Sequence, residues 1–195
     1  MKQLRFLAFP FSLIYGAFTF LRNKLYDWEI WSSAVFPVRV IVIGNLSTGG
    51  TGKTPHTEYL IRSLKDKFLT ATLSRGYGRK TKGFNIVKTS SFSPEVGDEP
   101  LQFKKKFPGT TVAVDGKRVR GIQQLIKLVP GLRVILLDDA FQHRAVKAGL
   151  SILLCDHNQP YYNDLVLPSG NLREFRSGAK RADIIIVTKS PENIT

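Results

Sequence analysis

One glycine-rich segment of the sequence combines backbone freedom with a lysine and a hydroxyl group. Its glycines let the main chain approach phosphate oxygens and point N–H groups at them. Lys53 supplies a charge for the β- and γ-phosphates of a nucleotide, and the Thr54 hydroxyl can ligate Mg²⁺. The strict P-loop pattern has glycine at the position of Ser47, but the strand-like run before the loop and the helical pattern after it are those of a P-loop. The predicted ATP-binding residues are Ser47, Thr48, Gly49, Gly50, Thr51, Gly52, Lys53 and Thr54.

Two acidic residues follow a second apolar run. Asp138 and Asp139 come directly after Val-Ile-Leu-Leu, where a P-loop enzyme places a carboxylate to hold its metal ion. The alternative is a capped strand end, because aspartate favours turns. Consecutive strand residues face opposite sides of a sheet, so we expect these two carboxylates not to share one role.

Three polar loops offer further candidates. Arg75 and Tyr77 follow a predicted strand, where ligands of α/β proteins bind, although an arginine on a turn is commonly just solvated. Asp98 is either a general base for an attacking hydroxyl group or the N-cap of a helix. Arg173 either binds phosphate or forms a surface ion pair. The residues alone leave each of these alternatives open.

The order of the apolar runs predicts the elements that position these loops. Short β-branched runs, apolar almost throughout, alternate with helical patterns at Pro55–Lys67 and Lys117–Leu128. This alternation predicts an α/β fold of the P-loop NTPase type, with three layers and a mainly parallel sheet. The predicted strands are Val38–Ile43, Leu69–Leu73, Asn85–Lys88, Thr111–Val114, Arg133–Leu137, Ser151–Cys155 and Asp183–Thr188.

The N-terminal segment differs from the rest of the chain. Phe6–Leu21 contains sixteen residues without a charge, and lysines and arginines flank it on both sides. A transmembrane helix needs about 20 apolar residues, and a signal peptide needs a small-residue cleavage site that is absent here. A helix lying in the membrane interface fits best, with burial against the domain as the alternative. We predict a membrane-associating segment over residues 1–36 and a P-loop kinase domain over residues 37–195.

Composition restricts the class of partner. The chain of 195 residues carries 29 lysines and arginines against 15 aspartates and glutamates, a net charge of +14. Such an excess favours an anionic partner, and because the positive residues are scattered we expect a membrane surface or a phosphorylated substrate, not nucleic acid. Cys155 is the single cysteine and lies in an apolar run, so we predict a buried thiol and no disulfide. The sequence carries no signal for an oligomeric state.

Together these motifs resemble the tetraacyldisaccharide 4'-kinase family, the lipid A 4'-kinases. The resemblance follows the family's order over nearly the whole chain, and the P-loop and Asp-Asp-Ala-Phe-Gln-His are its most specific parts. The matching segments, after the N-terminal apolar helix, are Val42–Pro55, Leu73–Arg79, Val96–Leu101, Asp115–Arg118, Leu137–His143 and Leu167–Glu174.

The resemblance implies transfer of the ATP γ-phosphate to the 4'-hydroxyl of a tetraacyldisaccharide 1-phosphate, giving lipid IVA. It also implies a monotopic enzyme on the cytoplasmic face of the bacterial inner membrane. By motif, Asp98 corresponds to the group that activates the sugar hydroxyl, with Lys53 as its catalytic partner at the phosphates. The implied Mg²⁺ ligands are Thr54, Glu99, Asp138 and Asp139. The implied substrate contacts are Arg75, Tyr77, Arg118, His143 and Arg173.

Two alternatives from other classes compete with a kinase. A partitioning ATPase shares the GG-x-GKT loop but carries a signature lysine where this chain has Thr48. A basic membrane-binding module could retain a vestigial nucleotide site. The final predicted strand is followed by only seven residues, whereas the family continues into a smaller second lobe, so the resemblance implies that a C-terminal part is lacking.

Overall fold

Seven strands form a single sheet in the computed structural model, which describes residues 8–192. Their spatial order is β3-β4-β2-β5-β1-β6-β7, and every pairing is parallel except the antiparallel β3–β4 pair. The predicted mainly parallel sheet is therefore confirmed. The strands are β1 (Arg39–Gly44), β2 (Thr70–Ser74), β3 (Asn85–Ile86), β4 (Thr111–Val114), β5 (Val134–Asp138), β6 (Leu150–Asp156) and β7 (Ile184–Thr188).

Helices cover both faces of this sheet. The α-helices are α1 (Phe9–Asp27), α2 (Lys53–Leu64), α3 (Ser93–Val96), α4 (Asp98–Lys106) and α5 (Arg118–Leu128), and 3₁₀ turns span Tyr161–Asn163 and Arg176–Arg181. Side chains of the central strands alternate between two apolar clusters, as the period of two requires. Ile135 and Leu137 pack with α5 on one face, whereas Leu136 packs with α2 and α4 on the other. The result is a three-layer α/β domain.

Helix α1 packs on the loop that follows β6 through its small residues. Ser12, Gly16 and Thr19 are buried, and the Ser12 hydroxyl donates to Ser169 Oγ over 2.8 Å. A Cβ atom on Gly16 would lie 2.5 Å from the Phe175 ring, so any larger residue here would force that ring to shift. These contacts fix α1 beside the carboxyl end of the sheet.

The apolar residues of α1 face away from the domain. Phe11, Ile14 and Phe18 are 66%, 68% and 68% exposed. Pro10 lies in the first turn, where a helical N–H has no intrahelical partner, and therefore does not interrupt the helix. Within residues 8–192, no helix combines the length and the apolarity that crossing a bilayer requires. Residues 6 and 7 of the predicted apolar segment, and the two cations before it, lie outside the described residues.

Candidate active site

A cavity of about 1010 Å³ lies at the carboxyl end of the parallel strands. Its walls come from α1, the P-loop, the start of α4 and the loops after β2, β4, β5 and β6, which converge because parallel strands end at the same edge. It brings together eleven of the predicted site residues: Thr48, Lys53, Arg75, Tyr77, Asp98, Glu99, Arg118, Asp138, Asp139, His143 and Arg173. The remaining predicted residues belong to the P-loop and the first turn of α2 and are not among those that line the cavity: Ser47, Gly49, Gly50, Thr51, Gly52 and Thr54.

The P-loop runs from the end of β1 to the start of α2. Gly49 and Gly52 have φ angles of 124° and 83°, a region that favours glycine because other residues carry a Cβ atom. Two neighbouring segments support the loop. The Thr48 N–H donates to the Asn171 carbonyl over 2.7 Å, and the Thr188 hydroxyl donates to the Thr51 carbonyl over 3.1 Å. The loop is thus held on two sides.

The P-loop lysine lies between an amide and a carboxylate. Lys53 Nζ donates to Asn45 Oδ1 over 3.3 Å and lies 3.6 Å from Asp139 Oδ1. Asp139 also accepts a 2.8 Å hydrogen bond from Arg173 Nη1. Arg173 is therefore ion-paired inside the cavity and not on the outer surface. Two cations share one carboxylate here, which leaves positive charge available for phosphate oxygens.

The position of Asp139 differs from the expectation that Asp138 and Asp139 face opposite sides of the sheet. Strand β5 ends at Asp138, and Asp139 has a left-handed φ of 47°. The alternation of faces applies only within a strand, so both carboxylates line the same cavity. Their surroundings nevertheless differ, because Asp139 pairs with cations whereas Asp138 is buried and accepts a 3.1 Å hydrogen bond from Thr57 Oγ1.

Asp98 and Glu99 occupy the first turn of α4. The N-cap of this helix is Gly97, with a φ of 91°, so the alternative that Asp98 caps the helix is wrong. The Ser93 hydroxyl donates to Asp98 Oδ1, and Glu99 Oε1 accepts a 3.4 Å hydrogen bond from Thr54 Oγ1. The start of α4 is therefore in direct contact with the end of the P-loop.

The family model described as tetraacyldisaccharide-1-P 4'-kinase matches residues 4–195. The chain belongs to this kinase family. A tetraacyldisaccharide 4'-kinase of Flavobacterium psychrophilum is 55% identical over the whole chain, and one of Bacteroides thetaiotaomicron is 54% identical over 95% of it. The chain spans only about half of these relatives, 57% and 49% of their respective lengths.

A solved structure agrees with this assignment. The "apo" form of LpxK from Aquifex aeolicus, in complex with ATP, superposes with a TM-score of 0.89 at 38% identity. The match covers 98% of this chain and 62% of that one. The P-loop kinase fold predicted from the sequence is confirmed.

The carboxylate of Asp138 lies near those of Glu99 and Asp139 in the cavity. Burial raises the pKa of Asp138 to about 7, and the charges of Glu99 and Asp139 add to this effect. A divalent cation would relieve such crowding, and oxygen ligands suit Mg²⁺. Among the described residues, however, no three carboxylate, imidazole or thiol groups are grouped so as to hold a metal ion by themselves. Thr54, Glu99, Asp138 and Asp139 as Mg²⁺ ligands therefore stay a prediction.

The opposite wall of the cavity is cationic. The pKa of His143 falls to about 4, because the ring is buried and because Arg118, Arg22 and Arg75 are positively charged. The imidazole is thus neutral near pH 7. Burial lowers the pKa of Arg118 to about 10, and this guanidinium remains charged. Tyr77 is almost fully exposed at the cavity mouth.

Several residues in and beside the cavity were not predicted from the sequence. Glu174 is buried and accepts hydrogen bonds from Asn23 of α1, Gln142 and Arg181. Arg22 appeared in the sequence only as a flanking cation, yet it lines the cavity. The carboxylate of Glu174 stood in a quoted motif, but nothing in a one-dimensional pattern shows which elements meet around it.

Proposed function

We propose that the protein transfers the γ-phosphate of ATP to the 4'-hydroxyl of a tetraacyldisaccharide 1-phosphate, giving lipid IVA. One observation carries this proposal: the P-loop lysine and Asp98 line the same cavity. Phosphoryl transfer needs the nucleotide and the hydroxyl acceptor in near contact, with water excluded. The names of the relatives and the ATP-bound LpxK neighbour support the same reaction.

Lys53 and Arg173 neutralise the phosphates in this mechanism. Both cations now contact Asp139, over 3.6 Å and 2.8 Å. Lys53 turns from Asp139 towards the β- and γ-phosphates when the nucleotide enters, and Arg173 contacts the group being transferred. Charge placed in advance where negative charge develops is the main source of rate acceleration in such reactions.

Asp98 acts as the general base. It takes the proton of the sugar hydroxyl while the hydroxyl oxygen bonds to the γ-phosphorus, and the bond to the β–γ bridging oxygen breaks to release ADP. The Ser93 hydroxyl that donates to Asp98 Oδ1 fixes the carboxylate orientation.

Proteins usually bind Mg²⁺ through one or two carboxylates together with substrate phosphates, and Thr54, Glu99, Asp138 and Asp139 are the residues that would supply the protein ligands. The ion supplies Lewis-acid stabilisation of the phosphate oxygens when it is bound. Thr57 keeps the buried Asp138 carboxylate oriented through its 3.1 Å hydrogen bond. Glu99 links the metal ligands to α4, which also carries Asp98.

Helix α1 docks on the cytoplasmic leaflet of the inner membrane, where ATP is available. Its large apolar residues face outwards, whereas small and polar residues face the domain. Because Tyr15 and Arg22 of α1 also line the cavity, the membrane-docked helix forms part of the site that receives the glycolipid.

Transfer of labelled γ-phosphate from Mg·ATP to the disaccharide 1-phosphate in detergent micelles tests the kinase. Lys53→Ala and Asp98→Ala should each lower the rate by at least about 100-fold. Lys127→Ala and Asp66→Ala remove exposed charges outside the cavity and should leave the rate unchanged. The Flavobacterium psychrophilum relative serves as the positive control.

Two outcomes of this assay would contradict the proposal. Unchanged transfer in Asp98→Ala would remove this residue as the base. Lys53-dependent ATP binding without transfer, under conditions where the relative is active, would show that the chain binds nucleotide but is not a kinase by itself.

Vesicle sedimentation tests the membrane proposal. Replacing Phe11, Ile14 and Phe18 with serine should lower binding to anionic vesicles by at least about 10-fold, because each removes buried apolar area at the interface. Phe92→Ser removes an exposed aromatic side chain elsewhere and should have no effect. ATP binding should be unaffected in all of these variants.

A further inference from the structure

We propose that Ser12 of helix α1 and Asp164, in the loop after β6, are positioning residues for ATP. Both act through residues 164–173, which we call the bracing loop because it contacts α1 on one side and the start of the P-loop on the other. The inference rests on the proposed function only in that the P-loop binds ATP, and it does not depend on the acceptor.

The bracing loop pairs with the start of the P-loop as a short antiparallel strand would. Two backbone hydrogen bonds and a bridge join them: the Thr48 N–H to the Asn171 carbonyl over 2.7 Å, the Arg173 N–H to the Leu46 carbonyl over 2.8 Å, and an antiparallel bridge between Ser47 and Leu172. The residues directly before the P-loop glycines are therefore held by neighbouring backbone.

The carboxylate of Asp164 closes the bracing loop on itself. Its Oδ1 accepts a hydrogen bond from the Leu165 N–H over 2.8 Å. Its Oδ2 accepts the Asn171 N–H over 3.2 Å and Asn171 Nδ2 over 2.9 Å. Hydrogen bonds to a charged acceptor are roughly twice as strong as neutral ones. Asp164 therefore fixes Asn171, the residue whose carbonyl holds Thr48.

Helix α1 contacts the other side of the bracing loop through a buried hydroxyl group. Ser12 Oγ donates to Ser169 Oγ over 2.8 Å and accepts the Ser169 N–H over 2.9 Å, and both serines are buried. The Tyr15 hydroxyl of α1 donates to the Arg173 carbonyl over 3.0 Å. The backbone of Arg173, whose side chain contacts Asp139 in the cavity, is thus bonded to both α1 and the P-loop.

Support of this kind raises the affinity for a nucleotide. Glycines give the P-loop backbone more freedom than other residues would, and a loop that is ordered only on binding subtracts its ordering entropy from the binding free energy. A P-loop that is held in place beforehand avoids this cost. The residues that line the cavity include neither Ser12 nor Asp164, so both act through the bracing loop and not by contact with ATP.

Calorimetric titration with Mg·ATP tests the bracing loop without the acceptor. The test variants are Asp164→Ala and Ser12→Ala. Asp183→Ala is the matched control for the first, because Asp183 Oδ2 also accepts a backbone N–H, that of Ser151 near the amino end of β6. Thr19→Val is the matched control for the second, because Thr19 is a buried residue of α1 whose hydroxyl bonds within its own helix.

Asp164→Ala should raise the dissociation constant for Mg·ATP by about 10-fold and Ser12→Ala by about 3-fold. Asp164→Asn keeps one acceptor oxygen and should lie between wild type and Asp164→Ala. Both controls should stay within about 2-fold of wild type. Amide hydrogen exchange at Thr48, followed by NMR, should become faster in Asp164→Ala, because the carbonyl that accepts this N–H loses its support.

The double variant Ser12→Ala/Asp164→Ala tests whether the two residues act through one loop. Its dissociation constant should rise by less than the product of the two single effects, because residues that share a partner do not act independently. A fully multiplicative effect would mean that α1 and Asp164 act separately, and it would overturn the role of Ser12.

Two outcomes would overturn the role of Asp164. These are an unchanged ATP affinity in Asp164→Ala, and an equal loss of affinity in Asp183→Ala. Lower thermal stability with unchanged ATP affinity belongs to the first outcome and would assign these hydrogen bonds to stability alone. If Asp164→Ala does not fold, Asp164→Asn and Ser12→Ala decide by the same criterion. The expected changes in ATP affinity without phosphate transfer would support the positioning role while the kinase proposal fails.

Discussion

Helix α1 and the central sheet bury opposite kinds of side chain. Strand β5 is buried throughout and packs apolar residues on both faces, with its acidic residue at the end. Helix α1 buries Ser12, Gly16 and Thr19 and exposes its large apolar residues. The sheet therefore gains stability from removing apolar surface from water, whereas α1 is held by close approach and hydrogen bonds. The large apolar residues of α1 therefore stay exposed where those of the sheet are buried.

The largest expected effect on the free energy of unfolding comes from comparing a phenylalanine in the core with one on α1. Phe103 of α4 is fully buried, whereas Phe18 of α1 is 68% exposed. Phe103→Ala should lower the free energy of unfolding by about 3–5 kcal/mol through a cavity, and Phe18→Ala by less than about 0.5 kcal/mol. Urea unfolding followed by circular dichroism measures both. Comparable losses would mean that α1 belongs to the apolar core.

The second prediction concerns the buried carboxylate that joins α1 to the site. Glu174→Gln should lower the free energy of unfolding by about 2–3 kcal/mol, because Arg181 loses its charged partner. That ion pair measures 2.7 Å. Asp66→Asn, which breaks an exposed pair with Lys65 of the same length, should cost less than about 1 kcal/mol. Equal costs in urea titrations would argue against a linking role for Glu174.

The third prediction breaks the packing of α1 without touching the sheet. Gly16→Leu should destabilise the docked helix by about 1–3 kcal/mol, because the new side chain meets Phe175. Ala17→Leu on the exposed side should change it by less than about 0.5 kcal/mol. Amide hydrogen exchange over α1 measures the local opening. Unchanged protection in Gly16→Leu would mean that the contact does not hold the helix.

The smallest predicted effect concerns Asp138, whose carboxylate is buried at the carboxyl end of the central strand β5. The folded-state pKa of Asp138 is about 7 against an ordinary value of 3.8, so the folded protein binds the proton more tightly. The stability that this group contributes is fully present below about pH 4 and is lost as the pH rises to about 7. Without Mg²⁺, Asp138→Asn should therefore be more stable than wild type by about 1–2 kcal/mol at pH 8.

Thermal unfolding at pH 4, 6 and 8 measures this effect. The difference between the two proteins should grow with pH, and Mg²⁺ with ATP should stabilise wild type but not the variant at pH 8. A difference that does not change with pH would mean that Asp138 is ionised throughout this range.

Local patterns made the sheet and the P-loop predictable. Continuous apolar runs such as β5 form strands where both faces are covered. The predicted strands differ from the observed ones by at most two residues at either end, and β4 coincides with its prediction. The GGTGKT segment likewise contains its own conformational requirement, since Gly49 and Gly52 adopt positive φ angles. The direction of Asp139 was not predictable in this way, because it depends on where the strand ends.

The fold class, the phosphate loop and the set of chemical groups could be predicted because they depend on residue type and on spacing along the chain. Which of these groups meet depends on how the elements pack in three dimensions. The tertiary structure placed Arg22 of α1 on the same cavity as Arg118, and Glu174 between α1 and Gln142. It also turned the small residues of α1 inwards. Contacts between residues far apart in the chain depend on how elements pack, and helix periodicity alone does not state which face finds a partner.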